Sequence, residues 1–386
     1  MIVVVTAALA MTGVQVSVPP APPPPPVIDM SPLLRSGSRL PAEQQLLRWT
    51  ASPALCRDAG AGGVRGQPMV RAPEPQRALS WVTYVRRPSL TFDFRIDASG
   101  RPLSIRRAVP AAPTYVADAQ DVAPALAASR FAPGVARSGC TVTFTAVATP
   151  ISTAPLAEIL AFSALPSGTP NRALWQRVRL PGSTCVDPVP DVLLRAFPAF
   201  RTLPDQPGFR SWSLTGYDLD AAGKPIRLRT VASSGTPELD AAARRAVAAS
   251  RFERGARVGC LYPYYKNATV LAAPEPPEEE RLRPADATCP RQHDWSRAPV
   301  LSYPPAYSSR SIEGWAIVAY DVAPWGQTGN LRVLQSEPTA DFGEAATQMI
   351  RSAAHKPGGG YVGCTERVLY VIRKPGMAGG AEAIVD

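Results

Sequence analysis

The sequence predicts an α+β protein of three tandem small modules. Each is an antiparallel sheet packed with one helix in the order ββαβ, and each is closed by one disulfide. Three observations carry this expectation. First, the six cysteines fall in chain order into three pairs: Cys185 and Cys260 are 75 positions apart, Cys289 and Cys364 likewise, and Cys56 and Cys140 are separated by 84. Second, the later cysteine of each pair follows a glycine, at Gly139, Gly259 and Gly363. Third, the flanking text repeats. Ser129-Arg130-Phe131 matches Ser250-Arg251-Phe252, with Ala354-His355-Lys356 standing in their place in the last unit. Internal repeats of this kind are sought first because they fix architecture before any single motif does.

The elements follow in order. Residues 1–18 are almost entirely apolar and uncharged, and are expected to serve as a signal peptide or membrane anchor. Residues 19–50 read as a linker that opens with the polyproline run Pro19 to Pro26, an extended rod. The first module is expected over 51–148. There Leu90, Phe92, Phe94 and Ile96 alternate as on a half-buried strand, Ser99-Gly100 turns the chain, and Leu103 and Ile105 continue on the return strand. Gly60 to Gly66 lacks the Lys-Ser/Thr of a phosphate loop and reads as a flexible loop.

A Pro-rich linker is expected over 149–182 and the second module over 183–272. Asp220 to Ile226 repeats the hairpin turn, and Ile226, Leu228 and Thr230 alternate beyond it. Thr236 is expected to cap a helix with Pro237 in its first turn; Leu239, Ala242, Ala243, Ala246 and Val247 then recur at helical spacing. A linker at 273–286 contains the acidic run Glu278-Glu279-Glu280. The third module, 287–375, has a helix over 341–354 and a last strand on which Val368, Tyr370 and Ile372 alternate; 376–386 reads as a frayed tail.

Pairing the cysteines within each unit is the economical choice among fifteen connectivities. Each bridge would tie a leading segment to the start of the final strand. Closing a loop of this length stabilises a small domain by about 4 kcal/mol in the chain-entropy picture, and small modules have thin cores that need it. The bridges require an oxidising compartment.

Composition narrows the function. Of 386 residues 45% are hydrophobic and 19% charged, so the chain can bury real cores. The net charge of +10 is carried mostly by arginines scattered singly or in pairs such as Arg86-Arg87, Arg106-Arg107 and Arg244-Arg245. No basic run is interleaved with aromatics, so a solvated surface is expected and no nucleic-acid partner. The two histidines, His293 and His355, stand in no nucleophile or metal-ligand motif, so no catalytic residue, metal or cofactor is assigned. His355 is expected to be structural, at the place of Arg130 and Arg251. Trp212, Trp315, Tyr320 and Phe342 read as core residues before they read as a peptide groove.

The third unit carries a family pattern. It runs Tyr303-Pro304-Pro305, Glu313-Gly314-Trp315, Ile317-Val318-Ala319-Tyr320-Asp321-Val322, Gly326, Asn330-Leu331-Arg332-Val333, Ser336-Glu337-Pro338, Phe342 and Ala345-Ala346. The second unit has Val231-Ala232-Ser233-Ser234-Gly235, Leu239-Asp240 and Arg251-Phe252; the first matches around its strands and Arg130-Phe131. At these residues the sequence resembles the C-terminal domain of the TonB energy-transducer family. The resemblance implies a non-enzymatic periplasmic protein, secreted or held by its N-terminal segment. It implies binding by strand addition, in which an extended segment of an outer-membrane receptor pairs with a sheet edge. That edge would be Arg367, Val368, Leu369, Tyr370, Val371 and Ile372. Inner-membrane motor proteins are the further partners it implies. A structural envelope protein whose modules act as spacers or self-associate through edge strands is the alternative.

Overall fold

The chain divides into two units, Met1–Leu40 and Pro41–Asp386. In a computed structural model the described residues are 44–385 apart from 58–62, 73, 82–88, 110–115, 117, 166–171, 186–187, 291–293 and 374–380. All lie in the second unit. The expected leader, the polyproline run and His293 lie outside them.

The protein is mixed α/β with antiparallel sheets, few helices and three disulfides. The first sheet has seven strands: β1 (Gln45–Ala51), β2 (Ala54–Arg57), β3 (Val64–Gln67), β5 (Ala78–Ser80), β6 (Ser89–Ile96), β7 (Pro102–Arg107) and β9 (Arg137–Pro150). β4 (Met69–Arg71) pairs instead with β8 (Arg130–Phe131), and α1 (Val122–Ala128) precedes β8. Leu90, Phe92, Phe94 and Ile96 on β6 all point into the core, as their alternation predicts.

Two short helices follow, α2 (Leu156–Ser163) and α3 (Arg172–Val178). The second sheet is β12 (Pro225–Ser233), β11 (Ser211–Leu219) and β14 (Arg257–Lys266), packed by α4 (Pro237–Ala249). β10 (Val192–Leu194) pairs with β13 (Arg251–Phe252). The third sheet is ordered β17 (Thr328–Glu337), β16 (Gly314–Val322), β19 (Tyr361–Ile372) and β20 (Ala381–Val385), with α6 (Ala340–Ser352) against it. β15 (Trp295–Arg297) pairs with β18 (Ala354–His355), and α5 (Pro305–Ser309) precedes β16.

One hairpin turn recurs three times, and it explains why glycine recurs there. Gly100, Gly223 and Gly326 have φ of +83°, +78° and +92°, a left-handed region that costs any other residue strain. A Cβ at each would overlap the carbonyl oxygen of Phe131, Phe252 or His355 respectively. The backbone N–H of those same residues donates to the glycine carbonyl at 2.8, 3.0 and 2.8 Å. The turn is thus locked to the dipeptide that follows each helix. This register places His355 at the position of Phe131 and Phe252, one residue beyond the arginine position expected from sequence.

The cores join the sheets. One apolar cluster runs from Leu47, Phe92, Phe144 and Leu126 in the first sheet and α1 to Ile312, Tyr320, Phe342 and Tyr370 in the third. Between them Glu337, buried, accepts from Ser104 N (2.6 Å), Ser104 Oγ (2.6 Å) and Arg95 (2.8 Å). Arg310, also buried, makes two 2.5 Å bonds to Asp121 and donates further to the carbonyls of Glu74 (2.7 Å) and Gly208 (3.2 Å). Its guanidinium thereby ties the segment ahead of the third sheet to α1 and to the loop entering β11.

Five expectations need correction. Residues 45–50, assigned to a linker, form most of β1; Gln45, Leu46, Leu47 and Trp49 are buried while Arg48 and Thr50 stay partly exposed, so the alternation starts only at Leu47 and is too short to mark a strand. Residues 149–182 hold the end of β9 and the helices α2 and α3, whose Ile159, Leu160 and Leu174 pack with Leu46, Trp212 and Leu214. In the expected tail, 381–385 is β20. Thr236 does sit at the helix start with Pro237 in the first turn, but its side chain makes no capping bond; Ser233 Oγ instead donates to Asp240 and accepts from Gly235 N. The third helix stops at Ser352, since Ala354 and His355 belong to β18.

Candidate binding edge

The three disulfides pair Cys56 with Cys140, Cys185 with Cys260 and Cys289 with Cys364, as the repeat predicts. Each later cysteine begins the inward-facing pattern of a long final strand: β9, β14 or β19. The preceding glycine, at φ +59°, +72° or +68°, makes a local turn within that strand, where the ladder to the facing strand shifts register. In the second and third sheets a carboxylate of the facing strand holds the turn. Asp218 accepts from Gly259 N at 2.6 Å and Asp321 from Gly363 N at 2.9 Å. Burial works to raise the Asp218 pKa, but that amide and Arg227 outweigh it, and the carboxyl is held below its usual range.

On β19 the alternation is plain. Val368 and Tyr370 are buried, whereas Arg367, Leu369, Val371 and Ile372 are partly exposed. Tyr370 is anchored by its hydroxyl, which donates to the Phe342 carbonyl at 3.1 Å, and by Tyr303 packed edge-on to it. Burial raises the pKa of both phenols well above the usual tyrosine range. The strand's inner neighbour is β16, with Ala316 opposite Val368 and Gly314 opposite Tyr370. Trp315, buried, donates its indole N–H to the Pro274 carbonyl at 2.7 Å and fixes that strand. Trp212, Trp315, Tyr320 and Phe342 are all buried core residues, and Trp212 also borders a cleft that Arg77, Asp121 and Arg310 line.

The edge expected over Arg367–Ile372 is not bare. β20 pairs with it antiparallel, Val368 opposite Val385 and Ile372 opposite Ala381. Only Arg367 lies outside that ladder. No sequence signal marks β20 beyond the β-branched pair Ile384-Val385.

A second cluster lies inside the same sheet. The Tyr320 hydroxyl is 3.1 Å from His355 Nε2 and donates to Glu366 at 3.3 Å; all three residues are buried. Trp295 packs against the imidazole with ring centroids 4.0 Å apart and planes tilted by 36°. Burial, with the Glu366 charge beside it, raises the Tyr320 phenol far above its usual range. The imidazole fills the space that a Phe ring fills in the other two sheets, a packing role. Among the described residues no group of three His, Cys, Asp or Glu side chains is placed to hold a metal ion. No helix among them is long and apolar enough to cross a membrane.

No curated protein matches the chain. Residues 299–368 match the family model described as the Gram-negative bacterial TonB protein C-terminal, and so the stretch that builds α5, the third sheet's hairpin, α6 and most of β19 is similar to that domain.

Proposed function

We propose that this protein is a periplasmic, non-enzymatic binding protein. In this reading it consists of three divergent copies of a TonB C-terminal-like unit, and the third copy binds extended segments of envelope or outer-membrane receptor proteins by strand addition at β19. The carrying observation is the edge itself: a strand of the unit matched by the TonB family model already accepts an antiparallel strand along Val368–Ile372. An edge of this kind supplies main-chain hydrogen bonds for affinity and alternate side chains for selection.

The threefold reading is supported by the glycine turns locked to Phe131, Phe252 and His355, by the Gly-Cys entry to each final strand, and by a further detail. Ser104, Arg227 and Asn330 all have φ near +50°, each seven residues after the position of Asp97, Asp220 or Ala323 at the start of the turn. Coupling to inner-membrane motor proteins is an extension of this reading that would use residues 1–18 as the anchor. The continuous core between the first and third sheets favours a second reading, a rigid structural element of the envelope that uses its edges for self-association.

Titration of the purified chain with TonB-box-like synthetic peptides tests the proposal. Saturable binding that perturbs the amides of Val368–Ile372 is expected. Concentration-dependent oligomers with no peptide binding would favour the envelope element instead.

A further inference from the structure

We infer that the cleft bordered by Trp212 is a ligand site for an apolar monocarboxylate. Arg210 holds the carboxylate, and an apolar or aromatic body lies against Phe162, Phe209 and Trp212. The site is separate from the β19 edge and does not depend on strand addition.

The cleft lies where two apolar clusters meet. Phe209 packs against the cluster shared by the first and third sheets, whereas Trp212, Phe162 and Leu165 belong to or pack against the one around α2. It holds about 620 Å³ of space, part of it open to solvent. Its lining mixes apolar rings with a few charged groups, as small-molecule sites do.

Three guanidiniums line it, and the fold accounts for two. Arg77 donates to Glu158 at 2.5 Å, and Arg310 donates twice to Asp121. Asp121 also accepts from Gln76 N at 2.6 Å. Glu74 gives its carbonyl to Arg310, and its exposed side chain forms no ion pair among the described residues. Arg210 is left over. Its Nε is buried and has no hydrogen-bond partner among the described residues, and no carboxylate there forms an ion pair with it. Burial lowers the Arg210 pKa, and the nearby Arg310 charge adds to that. A buried guanidinium without an acceptor is costly.

The third sheet shows what the fold itself asks of this position. Tyr217 and Tyr320 each lie opposite the later cysteine of their unit, and counted from them Trp212 corresponds to Trp315 and Arg210 to Glu313. Glu313 serves the sheet by accepting from Ile372 N at 2.9 Å. Trp315 gives its indole N–H to the Pro274 carbonyl. In the second sheet neither Arg210 Nε nor the Trp212 indole N–H has a protein acceptor among the described residues. Two donors are therefore free to serve a ligand.

The loop that presents Arg210 is fixed in place. Gly208, at φ +75°, packs so closely on Ala128 that a Cβ would overlap it. Its N–H donates to the Thr269 carbonyl at 3.1 Å, and its carbonyl accepts from Arg310 at 3.2 Å. Arg71 lies over the Phe209 ring, 3.7 Å from its centroid. Such preorganisation lowers the entropy lost on binding.

Charge sets the ligand class. One unmatched cation calls for a monoanion, since a dianion such as phosphate would set its second charge against Asp121. Nε with a terminal N–H makes a planar fork that matches a carboxylate. That carboxylate can belong to a free acid or to the last residue of a peptide; the chemistry is shared.

The test is NMR titration of the full chain with benzoate, phenylacetate, hexanoate and N-acetyl-Gly-Phe, each to about 10 mM, which detects Kd values of about 1 mM. Phenylacetamide and the amide of N-acetyl-Gly-Phe are the neutral controls, and inorganic phosphate is the anion without an apolar body. At least one acid should give saturable shifts of the Trp212 indole and of the Phe209 and Arg210 amides, with Val368–Ile372 unmoved. Binding by the free acids alone or by the peptide alone identifies the source. Arg210→Gln should weaken binding about tenfold or more, since a charge-assisted pair is lost. It should leave the urea midpoint unchanged or higher, because Arg210 supports no contact of the fold. No shift at Trp212, Phe209 and Arg210 with any acid would overturn the site. So would amides or phosphate that bind as tightly as the acids, or an Arg210→Gln chain that binds undiminished. Should Arg210→Gln fail to fold, Arg210→Lys decides: it keeps the charge without the fork, and undiminished affinity overturns the assignment.

Discussion

Replacing Gly326 by alanine should cost the third sheet about 2–4 kcal/mol. The glycine sits at φ +92°, where an alanine is strained by about 1–2 kcal/mol. Its new methyl group would overlap the His355 carbonyl oxygen, backbone that cannot step aside without disturbing the 2.8 Å bond from His355 N to the Gly326 carbonyl. Weakening that bond adds roughly 1 kcal/mol. Gly329, three residues on in β17, is the internal control. It has no positive φ, and a Cβ there meets nothing within 4 Å. Gly329→Ala should therefore be neutral or stabilise by up to about 1 kcal/mol through the unfolded state. Urea unfolding with disulfides intact, followed by tryptophan fluorescence, gives both midpoints and slopes. A Gly326→Ala midpoint within error of the parent at an unchanged slope would refute the locked-turn reasoning. So would equal losses at both glycines.

Other expectations follow the same physics. Gly100→Ala and Gly223→Ala should destabilise by amounts similar to Gly326→Ala, since each meets the equivalent carbonyl; a neutral result at either would show that the turns differ. Removing the Cys289–Cys364 bridge by replacing both residues with alanine should lower stability by about 4 kcal/mol, read as a lower urea midpoint, because 75 residues separate its ends. Arg310→Ala strands the Asp121 carboxylate in a largely buried site and should cost about 3 kcal/mol, while joining it with Asp121→Leu should recover a good part, as a double-mutant cycle would measure. Tyr217, Tyr303, Tyr307, Tyr320 and Tyr370 all have phenols raised above the usual range, in each chiefly by burial. The folded state holds those protons longer than the unfolded chain. Their contribution to stability is therefore complete below about pH 10 and falls as pH climbs beyond it. Tyrosinate absorbance should appear together with unfolding; a tyrosinate signal for these residues in the folded protein would contradict the burial.

The parts of the fold that sequence reveals are those governed by local rules. Glycine at positive φ, alternation on β6 and the 75-residue cysteine spacing each leave a mark, and the three disulfides follow from them. The connectivity of sheet edges leaves none. In β1 the alternation spans only Leu47 to Thr50, since Gln45 and Leu46 are both buried, and so short a pattern does not set the segment apart from a linker. The segment containing α2 looks like a linker because prolines flank it. It folds because Leu46 and Trp212, distant in sequence, supply the surface on which Ile159 and Leu160 pack. The edge strand Arg367–Ile372 could be located from its alternation and its family resemblance. Its occupant could not, since five residues near the chain end become a strand only through the ladder they complete.

β1 and β20 also give the second unit an uneven mechanical response. Tension applied at the residues just ahead of β1 pulls on a strand held along both sides, so the ladders on its two flanks share the load and must slip together. Tension applied just past Val385 reaches a strand that, among the described residues, is paired on one side only and can peel away rung by rung. Traction from the front therefore grips the sheet, while traction from the rear lifts off β20 and leaves the cores intact.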